Sequence, residues 1–234
     1  MSTRTNTRPN HILELTKGIQ LPLPKISNEI LEIIAEGIIN AFNDILSNHP
    51  SIVSTGTEAE VNALLGTKLN NLLQEDILLG QLISYVGRGV ESLSFNGVHL
   101  EKRPDLSLIL TSSINNFPLI IEAKIIDNTS GKTAQLYCDN GLRRFIDGEY
   151  AWGNQEAFLM AYVRDKSTIN LKLTPYLANK INTNPSDYRT IELPIVRPIG
   201  NLATSQHERT FTYIHQDAPN NQPGSISLWH LWLS

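Results

Sequence analysis

The sequence predicts an α/β fold in which helices flank a mixed central sheet, with additional strands near the C-terminus. Apolar residues recur at helical spacing between positions 30 and 45 and again between positions 61 and 73. Between Ile83 and Lys124, short apolar alternations are broken by glycines, a pattern typical of β-strands. A further helical pattern over 133–146 and an apolar strand over 157–163 follow, so the predicted order is helix, strands, helix, strand.

Residues 1–26 are predicted to form an irregular N-terminal arm. Leucine and proline alternate over residues 21–24, and prolines at this spacing cannot form the interior of a helix. Residues 27–234 are predicted to form a single domain, because no repeat, low-complexity tract or linker divides them.

The domain begins with two predicted helices. The first follows Ser27 and ends before Pro50, and the second starts near Thr57. Their apolar stripes consist of Ile30, Ile33, Ile34, Ile38, Phe42 and Ile45 in the first, and of Val61, Leu64, Leu65, Leu69, Leu72 and Leu73 in the second. Three antiparallel strands are predicted between Ile83 and Lys124, with a hairpin turn over 113–116.

The second half of the chain contains a predicted helix over about 133–146, which Gly148 ends. The remaining predicted elements are a buried strand over 157–163, a helix over 173–181, and short strands over 190–196, 210–215 and 226–233. In the last strand, Trp229 lies on one face and His230 with Trp232 on the other. Core packing or a subunit interface is the expected role of these rings.

The composition excludes some classes of protein. The chain has 234 residues, of which 41% are hydrophobic, and its formal net charge is −4. Proteins that bind nucleic acid non-specifically usually carry a basic excess, so any such contact here requires a local patch or a metal site. The single cysteine, Cys138, excludes an intrachain disulfide and fits a reducing compartment. No apolar run reaches membrane-spanning length, so we expect a cytoplasmic protein without a membrane partner.

Two acids and a lysine interrupt two of the apolar strands. Asp105 precedes the run Leu106–Leu110, and Glu122 and Lys124 lie within the run Leu119–Ile126. Because alternate side chains of a strand share a face, Glu122 and Lys124 point the same way, and a hairpin brings Asp105 beside Glu122. Charged groups are rarely buried without a partner or a metal, so this arrangement requires compensation.

A hard divalent cation would compensate the buried negative charges. Magnesium takes oxygen ligands, uses one or two protein carboxylates and accepts phosphate oxygens in its remaining positions. It lowers the pKa of bound water, while Lys124 orients that water, helps to deprotonate it or balances charge on the phosphate. The simpler interpretation is that Asp105 begins a strand after a proline turn and that Glu122 and Lys124 form a surface ion pair of little energetic value.

Pro104-Asp105 followed by Glu122-Ala123-Lys124, on adjacent predicted strands, resembles the motif of the PD-(D/E)XK nuclease superfamily, which has the restriction-endonuclease-like fold. The resemblance implies an αβββαβ core over about residues 57–163 and metal-dependent hydrolysis of phosphodiester bonds. It also implies that Asp105 and Glu122, helped by the Ala123 carbonyl, hold magnesium or manganese, and that Lys124 positions the attacking water. No motif identifies a subfamily.

The superfamily often adds an acid from the helix before the sheet, for which Glu58 and Glu60 are the candidates. Thr57 and Glu60 have the spacing of a capping box, which accounts for Glu60 without catalysis. We therefore expect Glu58, on the packed face, to bind the metal or its water. Gln135 is the best match for the polar residue that often follows the lysine strand. The Gln-x-x-x-Tyr pattern of some exonuclease branches is not met, because position 139 is Asp139.

These features predict a magnesium- or manganese-dependent nuclease acting on DNA, by analogy an endonuclease of bacterial defence or of repair. The sequence has no recognisable reading motif, which predicts that a partner subunit, a homo-oligomer or nucleic-acid structure selects the target. Lys132, Arg143 and Arg144 either hold DNA phosphates or are ordinary surface charges, the helix arginines being solvated or ion-paired. The alternatives are a catalytically inactive module of the same fold that binds nucleic acid or protein, and an unrelated hydrolase of small phosphate esters.

Overall fold

The computed structural model describes residues 8–92, 94–96, 102–112, 117–214 and 221–234. Within them, seven strands form one mixed sheet, and helices cover both of its faces. The predicted α/β class, with a mixed sheet flanked by helices, is therefore confirmed. None of the helices in these ranges combines the length and the apolar content that crossing a membrane requires.

The α-helices are, in chain order, α1 (Arg8–Thr16), α2 (Asn28–Asn48), α3 (Pro50–Thr55), α4 (Glu58–Glu75), α5 (Ile77–Leu82), α6 (Ala134–Tyr137), α7 (Arg143–Ile146) and α8 (Thr174–Thr183). The strands are β1 (Ile83–Arg88), β2 (Leu106–Leu110), β3 (Leu119–Ile126), β4 (Glu156–Val163), β5 (Thr190–Val196), β6 (Leu202–Glu208) and β7 (Ser225–Leu233). A 3-10 turn lies at Asn128–Ser130, and π turns lie at Cys138–Leu142 and Ile169–Leu173.

The strand order across the sheet is β1-β2-β3-β4-β7-β6-β5. β1, β2 and β3 are antiparallel neighbours, as predicted, and so are β5, β6 and β7. In the middle, β3 and β7 run parallel to β4. Every residue of β4 is buried, because a central parallel strand is covered on both faces, and this explains its continuous apolar sequence. The turn predicted over 113–116 lies outside the described residues.

Alternation along the strands sends side chains into two hydrophobic layers. α2 and α4 cover one face of the sheet, and α6, α7 and α8 cover the other. In β7, Trp229 enters the first layer and Trp232 the second, so both rings pack in the core. His230 is buried on the side of Trp232, where its Nδ1 lies 2.9 Å from the Tyr137 hydroxyl. The predicted division of these residues between two faces is confirmed.

The described part of the N-terminal arm, residues 8–26, is more ordered than the irregular arm predicted for residues 1–26, of which residues 1–7 lie outside the described ranges. Arg8–Thr16 form α1, and Ile12 and Leu21 are buried in a small aromatic cluster that includes Trp152. Short helices are marginal on their own, and tertiary packing supplies most of their stability. The packing partners lie far away in the chain, so local sequence does not reveal this helix.

No strand forms over residues 210–214, so this part of the strand predicted over 210–215 is wrong; residue 215 lies outside the described residues. The sheet strand is β6, which ends at Glu208, and Phe211 then packs into the same aromatic cluster as α1. β6 escapes prediction because two of its buried residues are polar. Ser205 and His207 satisfy each other with a hydrogen bond of 2.7 Å, and such pairs remove the apolar alternation by which strands are recognised.

The helix predicted over 133–146 is interrupted in the middle. α6 and α7 are joined by the π turn Cys138–Leu142. The residues of this segment that are buried in the layer on this face of the sheet are Tyr137, Cys138, Leu142, Phe145 and Ile146. Gly141 lies in this turn, where a Cβ atom would come within 2.8 Å of Leu159 Cδ1, so a larger residue would force the Leu159 side chain of β4 to shift. The short helices α3 and α5, of six residues each, hold too few apolar repeats to be predicted.

Arg209 ties two loops together at one end of the sheet. The buried guanidinium donates hydrogen bonds to the carbonyl oxygens of Ala151, Trp152, Pro223, Gly224 and Ser225.

A lysine ammonium cannot reproduce the forked geometry of the Arg209 guanidinium, so we expect Arg209→Lys to lower the free energy of unfolding by about 2–3 kcal/mol. Urea denaturation measures the loss. The control is the exposed Arg189, paired with Glu208 at 3.7 Å, where Arg189→Lys should change stability by less than about 0.5 kcal/mol. Equal losses in both variants would contradict the prediction.

Two buried histidines should weaken the fold in mild acid. Burial lowers the pKa of His207 to about 4 and that of His230 to about 3, against about 6.5 in the unfolded chain. Between these values the unfolded chain binds more protons than the folded chain, so the free energy of unfolding falls as the pH drops below about 7. At about pH 5.5 each histidine should destabilise the protein by about 1.4 kcal/mol.

Urea denaturation of the wild type and of the variant with His207→Asn and His230→Asn, at about pH 7.5 and pH 5.5, isolates this contribution from that of the carboxylates. The variant should lose less stability on acidification. Imidazole NMR signals of His207 or His230 that titrate near pH 6.5 in the folded protein would refute the prediction.

Candidate active site

The candidate site lies where β2 stops pairing with β3. β2 pairs only with Leu119–Ile121, whereas β4 pairs with the rest of β3. The next amides on the β2 side of β3 are satisfied by side-chain carboxylates instead. The Ala123 N–H donates to Asp105 Oδ2 at 2.8 Å, and the Ile125 N–H donates to Glu58 Oε2 at 2.8 Å. One strand edge thus brings together an acid that precedes β2 and an acid from α4.

Glu122 and Lys124 lie on the same face of β3, as predicted. Lys124 Nζ is 2.6 Å from Glu122 Oε1, 2.8 Å from the Ala123 carbonyl oxygen and 4.0 Å from Asp105 Oδ2. The predicted proximity of Asp105 to Glu122 also holds, since continuing the β2–β3 register sets these residues opposite each other. The ammonium group is therefore held between two carboxylates and the strand edge.

Glu122 is the least exposed of these charged residues, with 2% of its surface accessible. Burial, followed by repulsion from Asp105, raises the pKa of Glu122 to about 7, while Lys124 and Arg144 oppose the shift. Arg144 Nη1 lies 3.3 Å from Glu122 Oε1. The site therefore confines two carboxylates that repel each other and balances them with two cations.

The two acids at the start of α4 have separate contacts. Glu60 forms the predicted capping box, since its Oε2 accepts from the Thr57 N–H at 2.7 Å and its own N–H donates to Thr57 Oγ1 at 3.3 Å. Glu58 instead reaches β3 through the Ile125 amide. Glu58 is thus the α4 acid that lies at the site.

Sequence reasoning missed Asn62 and Tyr162. Asn62 lies one turn after Glu58 on the buried face of α4, and its Nδ2 donates to Asp105 Oδ1 at 2.8 Å. Its Oδ1 accepts a hydrogen bond from the buried Tyr162 hydroxyl at 2.6 Å. Both oxygens of Asp105 therefore accept N–H groups. The sequence does hold a signal that could have identified Asn62, because an asparagine on an apolar helix face is rarely buried without a specific hydrogen-bonding role.

The two adjacent arginines of α7 have different partners. Arg143 Nε lies 3.5 Å from Asp147 Oδ2 at the surface, whereas Arg144 reaches Glu122. Arg144 Nη1 also donates to the Tyr150 hydroxyl at 2.7 Å. No spacing rule links α7 to β3, so the involvement of Arg144 follows only from the packing of the helices against the sheet.

Gln135 lies exposed on α6, and none of the hydrogen bonds in the described part of the chain joins its side chain to the site. Lys132 is exposed just before α6. The roles expected for Gln135 and Lys132 stay predictions. Cys138 is buried, and burial raises the pKa of its thiol, which disfavours the reactive thiolate.

The donor atoms at the site are oxygens. Across the described residues, no group of three or more His, Cys, Asp and Glu side chains is arranged to hold a metal ion. The site offers the carboxylates of Asp105 and Glu122, the Ala123 carbonyl oxygen, and Glu58 at the neighbouring amide. Magnesium uses one or two carboxylates and keeps several waters, so this small oxygen set fits it, whereas zinc favours nitrogen and sulfur. A divalent cation would also offset the burial and the repulsion from Asp105 that together raise the pKa of Glu122.

Comparisons of the chain with protein-family models, curated proteins and solved structures found no match. Function must therefore be inferred from the site itself. Its defining features are two carboxylates at a free strand edge, a lysine held between them, and an arginine that shares one of their oxygens.

Proposed function

We propose that the protein is a magnesium- or manganese-dependent nuclease that hydrolyses DNA phosphodiester bonds, of the PD-(D/E)XK type. The observation that carries the proposal is the position of Lys124 Nζ, 2.6 Å from Glu122 and 4.0 Å from Asp105, at the edge where β2 leaves β3. An acid pair that can hold a metal ion, with an adjacent ammonium group, can supply the activated water and the charge stabilisation that hydrolysis of a phosphodiester uses.

The order of the elements supports this proposal. α4 is followed by the antiparallel strands β1, β2 and β3, then by the helical segment from α6 to α7, and then by β4 parallel to β3. The resemblance implies this αβββαβ order over residues 57–163. The short helix α5 is an addition between α4 and β1.

The acids would hold the cation. Asp105 and Glu122 with the Ala123 carbonyl would provide ligands, and Glu58 would bind the metal or one of its waters. A bound magnesium ion supplies Lewis acidity, which lowers the pKa of water and neutralises charge on the phosphate. Asn62 and the Ala123 amide hold both oxygens of Asp105, so its carboxylate enters the reaction already oriented.

Lys124 would act on water and phosphate. Its ammonium group is anchored by the Ala123 carbonyl and Glu122, which fixes its position while a third N–H remains for the substrate. From there it donates a hydrogen bond to the attacking water and stabilises the negative charge that develops on the phosphate. Glu122 cannot turn away easily, because it is buried.

Target choice would come from outside the site. The net charge of −4 disfavours tight non-specific binding of DNA, so a partner subunit, a homo-oligomer or the structure of the nucleic acid would select the target. A cytoplasmic nuclease of this kind suits bacterial defence or repair, by analogy alone.

The second candidate function is that of a catalytically inactive module that binds nucleic acid or protein. One observation favours it: Lys124 and Arg144 already balance the charges of Asp105 and Glu122, so the four side chains can form a purely structural cluster.

Cleavage assays separate the two candidates. We expect the wild type to cut DNA with magnesium or manganese and to be inactive with EDTA; tests on linear, circular and single-stranded DNA, with RNA alongside, define the substrate. Asp105→Ala and Lys124→Ala should each lower the rate by about 100-fold or more. The control is Lys68→Ala, which removes a surface lysine that pairs with Asp44. Binding without metal-stimulated cleavage, or an Asp105→Ala protein as fast as wild type, would refute the nuclease proposal.

Glu58 and Glu60 form a matched pair for a second test. Glu58→Gln should lower the cleavage rate by about 10–100-fold, because it removes a charge that orients the metal or its water. Glu60→Gln should weaken the cap of α4 and lower the thermal midpoint slightly, while cleavage stays at the wild-type rate. Cleavage kinetics and thermal denaturation of both variants measure these effects. A Glu60→Gln enzyme that is slower than Glu58→Gln would reverse the assignment.

A further inference from the structure

Arg144 lies at the site without a role in the scheme above. Its guanidinium contacts the same oxygen of Glu122 that Lys124 contacts, at 3.3 Å against 2.6 Å. Without a metal, Lys124 and Arg144 balance the charges of Asp105 and Glu122. Glu58 adds one negative charge at the same strand edge, so a divalent cation would leave one surplus positive charge, which favours an anionic substrate.

The position of Arg144 is fixed by Tyr150. The Tyr150 hydroxyl accepts from Arg144 Nη1 at 2.7 Å, and the guanidinium carbon lies 5.3 Å from the centre of the same ring. Tyr150 is itself buried, and its N–H donates to the Arg144 carbonyl at 3.1 Å. Gly148, with a φ of 72°, makes the reversal of the chain that brings Tyr150 back to Arg144. An exposed arginine would be mobile, whereas this one is held at both its backbone and its side chain.

Arg144 retains donors for a further anion. Its side chain is 35% exposed and lines an open polar cleft of about 470 Å³, together with Lys102, Arg143 and the acids Asp139, Asp147 and Glu149. Among the described residues, its contacts with Glu122 and Tyr150 both use Nη1. A guanidinium has five N–H donors in a fixed fork, so Nε and Nη2 are left for bidentate binding of a phosphate.

We propose that Arg144 binds a non-bridging oxygen of the phosphodiester that the enzyme cleaves, and that Tyr150 is the residue that positions it. This inference rests on the proposed nuclease function and adds to it a phosphate ligand from the helix layer. Lys124 then approaches the phosphate from the strand edge and Arg144 from α7. The arginine fork also supplies orientation that a point charge such as an ammonium group cannot supply.

The kinetic test compares Arg144→Gln, Arg144→Lys and Tyr150→Phe with wild type on a DNA that the wild type cleaves. We expect Arg144→Gln to lower the cleavage rate by about 100-fold or more, and Arg144→Lys to recover only part of it. Tyr150→Phe should lower the rate by about tenfold, because it removes one hydrogen bond that holds the guanidinium. Arg189→Gln, just before the edge strand β5, should stay within about twofold of wild type.

Two readouts separate phosphate binding from a structural role. Added guanidinium ion at non-denaturing concentration should restore part of the cleavage by Arg144→Gly and none of that by Lys124→Ala. With calcium in place of magnesium, under conditions without cleavage, the slope of log affinity for DNA against log salt should become shallower by about one for Arg144→Gln and stay unchanged for Arg189→Gln.

The outcomes distinguish this inference from the proposed function. A wild type that cleaves DNA while Arg144→Gln cleaves equally fast, with an unchanged salt slope, would overturn the role of Arg144 alone. A wild type that neither cleaves nor binds DNA would overturn both. Loss of cleavage without guanidinium rescue and without a change in salt slope would assign Arg144 to support of Glu122, against the proposal.

Discussion

The hydrogen bond between the Ala123 amide and the Asp105 carboxylate, at 2.8 Å, is the constraint on which the site depends. A strand edge that loses its neighbour exposes amides whose burial without a partner costs about 1–3 kcal/mol each. Carboxylates satisfy them here, at Ala123 and again at Ile125. A carboxylate that accepts a backbone N–H is held in one orientation. The same bonds therefore complete the sheet and set the positions of Asp105 and Glu58.

The second constraint is the balance of charge around Glu122. Its carboxylate is buried, and burial with the nearby Asp105 raises its pKa to about 7. In its ionised form, a buried carboxylate is stable only beside cations, and removing one of those cations strongly destabilises the protein. Lys124 and Arg144 both contact Glu122 Oε1, so the protein keeps two cations on one oxygen. These two cations balance Asp105 and Glu122, and a bound divalent cation would add the surplus positive charge that favours an anionic substrate.

The sequence predicted those parts of the fold and site that local patterns encode. The spacing of Glu122 and Lys124 on a strand dictates their common face, and a capping box distinguishes Glu60 from Glu58 without any knowledge of tertiary structure. What could not be predicted depends on partners far apart in the chain. β6 buries polar residues that satisfy one another, α1 is stabilised by aromatic rings that come much later, and Arg144 meets Glu122 only because α7 packs against β3 and β4. Asn62 is an intermediate case. An asparagine on the apolar face of a helix stands out in the sequence, but its partner Asp105 is far away in the chain and could not be predicted.

Two buried tyrosines hold the site from opposite faces of the sheet. Tyr162, in the layer under α2 and α4, donates to Asn62, and Tyr150, in the layer under α6 to α8, accepts from Arg144. Burial raises the pKa of Tyr162 and raises that of Tyr150 to about 12, so both hydroxyls stay neutral near physiological pH. Neither tyrosine contacts the proposed ligands of the cation directly. Side chains of the two hydrophobic cores therefore orient Asp105, through Asn62, and Arg144. Packing on both faces of the sheet consequently determines how accurately the residues of the site are positioned.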